Sequence, residues 1–217
     1  MDIPNIYKQT TTPNETPLLI KEKLAEFNIA LSKIDVEKRR DCLMAQERCP
    51  GECDEEFKMV FLRCEVFNVN RAVDRFVKYW NTRIEVFGET RAFLPMSIAG
   101  AMKDDIEVIK MGYLQVACKT DPDGRAIILF DHRKEASEAS TEALLQVVWY
   151  QVHIALRHES AQRRGIVIYV QCIERFLDWR PSLSKQVALA GRGILPILLL
   201  ECISSARPSF SVLLCLL

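Results

Sequence analysis

Neither sign of charge is in surplus in this sequence: lysine plus arginine number 29, and aspartate plus glutamate number 29. A balanced field gives nothing to steer the chain onto a polyanion, so nucleic acid is not an expected partner. Histidine is scarce, with three residues, and His153 and His158 are spaced so that they fall on different faces of a helix, which excludes a paired metal site. Glycine is sparse too, with eight residues. Gly191 and Gly193 lack the third glycine of a dinucleotide fingerprint, Pro196 standing in its place, and read as helix terminators. His132, beside Asp131 and Arg133, has no nucleophile or base at a recognisable spacing. The expectation is therefore no enzyme, no cofactor and no metal. The start, Met1-Asp2-Ile3-Pro4-Asn5, has no basic segment followed by an apolar run, which argues against a secretory signal peptide and for a reducing, cytoplasmic setting.

An unbroken apolar run of membrane length is also missing. Residues 194–217 carry only Glu201 and Arg207 as charges, but Pro196, Pro208, Ser204-Ser205 and both charges interrupt them. This stretch, long enough in principle to span a bilayer, reads as the core of an incomplete domain, with a tail anchor as the alternative; in the first reading Phe210, Val212 and Leu213 would be exposed apolar surface.

What is present fits a protein with one large core: 217 residues, 49% apolar and 27% charged. Of the eight cysteines, Cys42, Cys118, Cys172, Cys202 and Cys215 lie among apolar neighbours and read as small buried hydrophobes. Cys49-Pro50-Gly51-Glu52-Cys53 puts two thiols on a turn, but the spacing is not that of a zinc knuckle and no histidine is near, so unligated thiols are expected. Arg157, Arg163, Arg164 and His158 form a small basic cluster that reads as solvated surface, with transient contact to anionic lipid headgroups as the alternative.

Along the chain, residues 1–17 are polar and proline-containing, a flexible lead-in. Residues 18–90 form a helical segment. Leu24, Phe27, Leu31, Ile34 and Leu43 recur at helical intervals. After Pro50-Gly51, Asp54-Glu55-Glu56 opens a helix with Phe57, Val60, Phe61 and Cys64 on one face. Asn68 or Asn70 caps a longer one, striped by Val69, Ala72, Val73, Phe76, Val77, Trp80 and Ile84 and ended by Gly88. Asp121-Pro122-Asp123-Gly124 is a turn, and Ala126–Phe130 is a strand buried on both faces. A many-sided apolar helix spans Ser140 to His158, and Gly165–Val170 is a second strand. A further helix at 182–189 and a third strand at Ile197–Leu200 complete the pattern. Strand, helix and strand in succession predict an α/β fold with a parallel sheet and an N-terminal helical annex.

Three stretches together resemble the CRAL-TRIO lipid-binding family: Phe61–Ala72 running on to Tyr79–Arg83, the turn Asp123-Gly124-Arg125-Ala126-Ile127, and Arg164–Val170, with Leu195-Pro196 before the next strand. The resemblance covers residues 55–200. It implies a helical segment at 18–90 followed by a lipid-binding domain at 100–217 whose C-terminal part, including a gate helix over the ligand, is incomplete. Gln171 departs from the acidic residue that the family often places there.

The function so implied is binding, and intracellular transfer, of a hydrophobic small molecule or lipid. The alternative is a non-catalytic interaction protein, or an incomplete fragment without a closed pocket. Burial of hydrocarbon yields about 25 cal/mol per Å², so such a site needs apolar area more than polar contacts. With walls from one strand face and the inner face of the long helix, the expected lining is Ile128, Phe130, Val148, Val152, Ile168 and Val170. A one-residue slip exchanges the strand set for its neighbours.

Overall fold

The computed structural model describes residues 13–131, 134, 139–171, 195 and 200–204. The chain combines a large helical part with a small sheet, as the α/β reading expects. Helix α1, Pro17–Lys33, starts with proline in its first turn, where no backbone donor is wasted, and Thr16 Oγ1 accepts from the Leu19 N–H at 3.2 Å. Of the lead-in expected over 1–17, residues 1–12 lie outside the described residues. The Glu15 carboxylate is buried against Arg63 at 2.8 Å and Arg163 at 3.0 Å, because two guanidinium groups converge there.

Helix α2, Arg40–Arg48, turns Cys42 and Ala45 to the core and leaves Leu43, expected inside, 37% exposed. The break at 34–39 resets the helical phase, so the stripe of α1 does not extend into α2. A 3-10 turn, Pro50–Glu52, leads to α3, Glu55–Cys64, capped by Asp54, whose carboxylate accepts from the Phe57 N–H at 2.8 Å. Helix α4, Val69–Arg91, is capped by Asn68. Gly88, with φ 72° and ψ 161°, ends the regular helix as expected; only glycine adopts that geometry freely, and a further short helical stretch follows beyond the kink.

After α5, Ile106–Lys110, come β1, Leu114–Val116, and β2, Ala126–Asp131, which pair antiparallel. The turn before β2 is the expected one, with the Gly124 N–H on the Asp121 carbonyl at 2.9 Å and Gly124 at φ 78°. Helix α6, Thr141–Leu156, and the short α7, Glu159–Arg164, connect β2 to β3, Ile166–Gln171. Strand β3 pairs parallel with β2, and β4, Leu200–Ser204, pairs parallel with β3, giving the order β1-β2-β3-β4. The strand expected at Ile197–Leu200 meets β4 at Leu200. Residues 196–199, the helix expected at 182–189, and residues 205–217 lie outside the described residues.

One continuous core runs from Leu24 on α1 through Trp80 on α4 and Trp149 on α6 to Ile166 on β3. Aromatic rings fill its centre: Phe61 and Phe76 meet edge to face at 5.1 Å, and Tyr79 lies 5.2 Å from Trp149. Gln146 donates to the Val86 carbonyl at 2.7 Å and Gln151 to the Leu114 carbonyl at 3.1 Å, so α6 is tied to α4 on one side and to β1 on another. Among the described residues, no helix is long and apolar enough to cross a membrane.

Candidate functional site

The two faces of the sheet differ. On β2, Ala126 and Ile128 turn toward α6 and belong to the core, with Phe130 half-buried against it and 4.6 Å from Tyr113. On β3, Ile166 is buried in the same core and Ile168 packs on it. Strand alternation sends Ile127, Leu129, Val167 and Tyr169 to the other face, where Val167 is buried and the other three lie outside the core formed by the described residues. Register sets Ile127 beside Val167 and Leu129 beside Tyr169, so they form one apolar patch. Leu129 is 37% exposed, Ile127 and Tyr169 are half-buried, and Val167 is shielded at 4%.

The residues expected to line a pocket therefore divide. Ile128, Val148 and Val152 are buried members of the core, and Phe130 and Ile168 lean on it. Val170 pairs with Phe130 through the backbone, and its side chain lies outside the described residues, as does His132. The neighbouring set, Ile127, Leu129, Val167 and Tyr169, went unnamed in sequence reasoning. Both strands are apolar at every position, so no alternation distinguished the face that meets α6.

Behind the sheet, a buried polar chain crosses the aromatic core. Arg83, fully buried on α4, pairs with the Glu52 carboxylate, which also accepts from the Met96 N–H at 2.5 Å. Arg83 also donates to the Leu94 carbonyl at 2.7 Å and to the Tyr79 hydroxyl at 2.9 Å. The Tyr79 oxygen lies 2.8 Å from His153 Nε2, and His153 Nδ1 lies 2.8 Å from the Trp149 carbonyl. A carbonyl only accepts, so Nδ1 carries the proton and Nε2 accepts from the tyrosine. Burial, reinforced by the Arg83 charge, lowers the His153 pKa to about 4. Burial likewise holds the Tyr79 phenol protonated well above its ordinary range. The chain lies within the protein as a structural brace linking α4 to α6, with Arg83 Nε left buried and without a hydrogen-bond partner.

The basic cluster is largely engaged: Arg163 pairs with Glu15 and Glu159, and Arg164 donates to the Asp123 carbonyl at 2.8 Å. Among the described residues no group of three or more histidine, cysteine or acidic side chains is placed to hold a metal ion. Cys42, Cys49, Cys53 and Cys64 are free and buried, while Cys118, expected in the core, is exposed, because the segment after β1 leaves the sheet. An open groove of about 560 Å³ runs between α1 and the start of α4, lined by Ile29, Ala30, Phe67 and Val69 with Lys23 and Lys33 at its rim. No protein-family model and no curated protein matches the chain.

Proposed function

We propose that this chain is a non-catalytic binder of a hydrophobic small molecule or lipid, built on the CRAL-TRIO plan, and that the ligand lies against the sheet face opposite α6. The observation that carries the reading is the two-faced sheet: one apolar face is consumed by the core, and the other presents Ile127, Leu129 and Tyr169 outside it. An apolar strand face left partly exposed costs free energy, which a hydrocarbon ligand recovers by displacing water from it. The Tyr169 hydroxyl offers one polar contact among apolar ones, a composition typical of small-molecule sites.

Ile128 on β2, with Val148 and Val152 on α6, serves this site by holding the floor rigid. The order of elements, helical segment, strand, long helix, strand, adds support through its resemblance to the family. A cytoplasmic carrier that meets membranes only in passing fits both the free thiols and the absence of a spanning helix among the described residues.

Titration with a fluorescent fatty acid tests the reading. Burying a leucine side chain contributes about 1.5–3 kcal/mol, so Leu129→Asp is expected to weaken binding at least about tenfold. Ile29→Asp, in the open groove, is expected to leave the titration unchanged. No saturable uptake by the native chain, or equal uptake by Leu129→Asp, would refute the site.

A further inference from the structure

Cys49 and Cys53 stand at the two ends of the Pro50–Glu52 turn. Two successive backbone bonds close that turn, the Glu52 N–H on the Cys49 carbonyl at 2.9 Å and the Cys53 N–H on the Pro50 carbonyl at 3.0 Å. Both side chains are directed into the same core, beneath a cover only one turn thick, since Pro50 and Gly51 are exposed. The neighbouring Cys53 thiol, with help from the Arg83 charge, lowers the Cys49 pKa, while the Cys49 thiol and burial raise that of Cys53. Cys42 and Cys64 lack this pairing, and burial is the main cause that pushes each up to about 12. Between the two paired thiols sits Glu52, the counter-charge of the buried Arg83.

We propose that Cys49 and Cys53 are a redox-active dithiol, which a hydroperoxide converts to a disulfide across the turn, loosening the hold of Glu52 on Arg83. The Cys49 thiolate attacks the terminal peroxide oxygen, the O–O bond breaks, and the leaving oxygen departs as an alcohol, or as water from hydrogen peroxide, after taking a proton. Cys49 is then a sulfenic acid. The Cys53 sulfur attacks that sulfur, the S–O bond breaks, and water leaves with the proton of Cys53. The two sulfurs have given two electrons to the peroxide, and a small dithiol returns them by exchange. A disulfide admits only a narrow range of Cα separations and dihedral angles, so its formation reshapes the turn that carries Glu52.

The sequence supplies a direct readout. Trypsin cleaves after Arg48 and after Lys58, and the peptide between them holds Cys49 and Cys53 and no other cysteine. After treatment of the full chain with hydrogen peroxide and alkylation of the remaining thiols, this peptide is expected two hydrogens lighter and unalkylated. Dithiothreitol is expected to restore alkylation. Cys53→Ser should instead accumulate a sulfenic acid on Cys49 that dimedone traps. The oxidised protein should unfold at lower urea than the reduced protein, and oxidation should add nothing in Glu52→Gln. Full alkylation of both thiols after peroxide would overturn the dithiol. A disulfide that left the urea midpoint unmoved would overturn the link to Glu52 and Arg83.

Discussion

The Tyr79 hydroxyl on α4 lies 2.8 Å from His153 Nε2 on α6, so the helical annex and the crossover helix of the sheet are joined by a hydrogen bond inside an aromatic core. Protonating His153 turns its acceptor into a second donor, facing a hydroxyl that Arg83 already supplies. The folded pKa is about 4, below the ordinary value of 6.5, so the unfolded chain binds more protons between these two. The histidine's contribution is therefore complete above pH 6.5 and is lost as pH falls toward 4, up to about 3 kcal/mol in all. Urea unfolding across this window is expected to show that slope in the native chain and a flatter one in His153→Gln.

Arg83 and Glu52 give a second prediction. Removing the carboxylate leaves a guanidinium buried with its charge uncompensated, a situation that costs about 3–5 kcal/mol. Glu52→Ala is expected to show a loss of that order in equilibrium denaturation. The double variant Glu52→Ala/Arg83→Met should recover much of it, because the buried charge is gone. Additive losses in the double variant would contradict the pairing.

Val66 and Phe67, between α3 and α4, have φ of 50° and 61°. A β-branched residue in the left-handed region carries strain of roughly 1–2 kcal/mol. Val66 is only half-buried, so little packing is lost on exchange. Val66→Asn, which tolerates this backbone, is expected to raise the thermal midpoint, whereas Val66→Ile should leave it unchanged or lower it.

Local chemistry made much of this architecture readable beforehand. The carboxylate of Asp54, the amide of Asn68 and the glycine of the 121–124 turn each act within four residues of themselves, and all stand where the sequence puts them. Helix α6 announced its many-sided burial by having apolar residues around its circumference. Long-range relations left no such trace. Glu52 and Arg83 meet across 31 positions, and Glu15 and Arg163 across 148, between residue types that occur throughout the chain. Strand β1, three residues long, is too short for a periodic signal. The strand face that α6 covers was hidden by uniform apolarity, and that choice decides whether Ile128 or Leu129 is taken up by the core.

The most direct measurement is organic-solvent extraction of the purified native chain followed by mass spectrometry. The account predicts a stoichiometric hydrophobic molecule from the native protein and a depleted extract from Leu129→Asp of unchanged circular dichroism. Empty extracts from a folded native chain, together with no uptake when it is offered lipid vesicles, would contradict it.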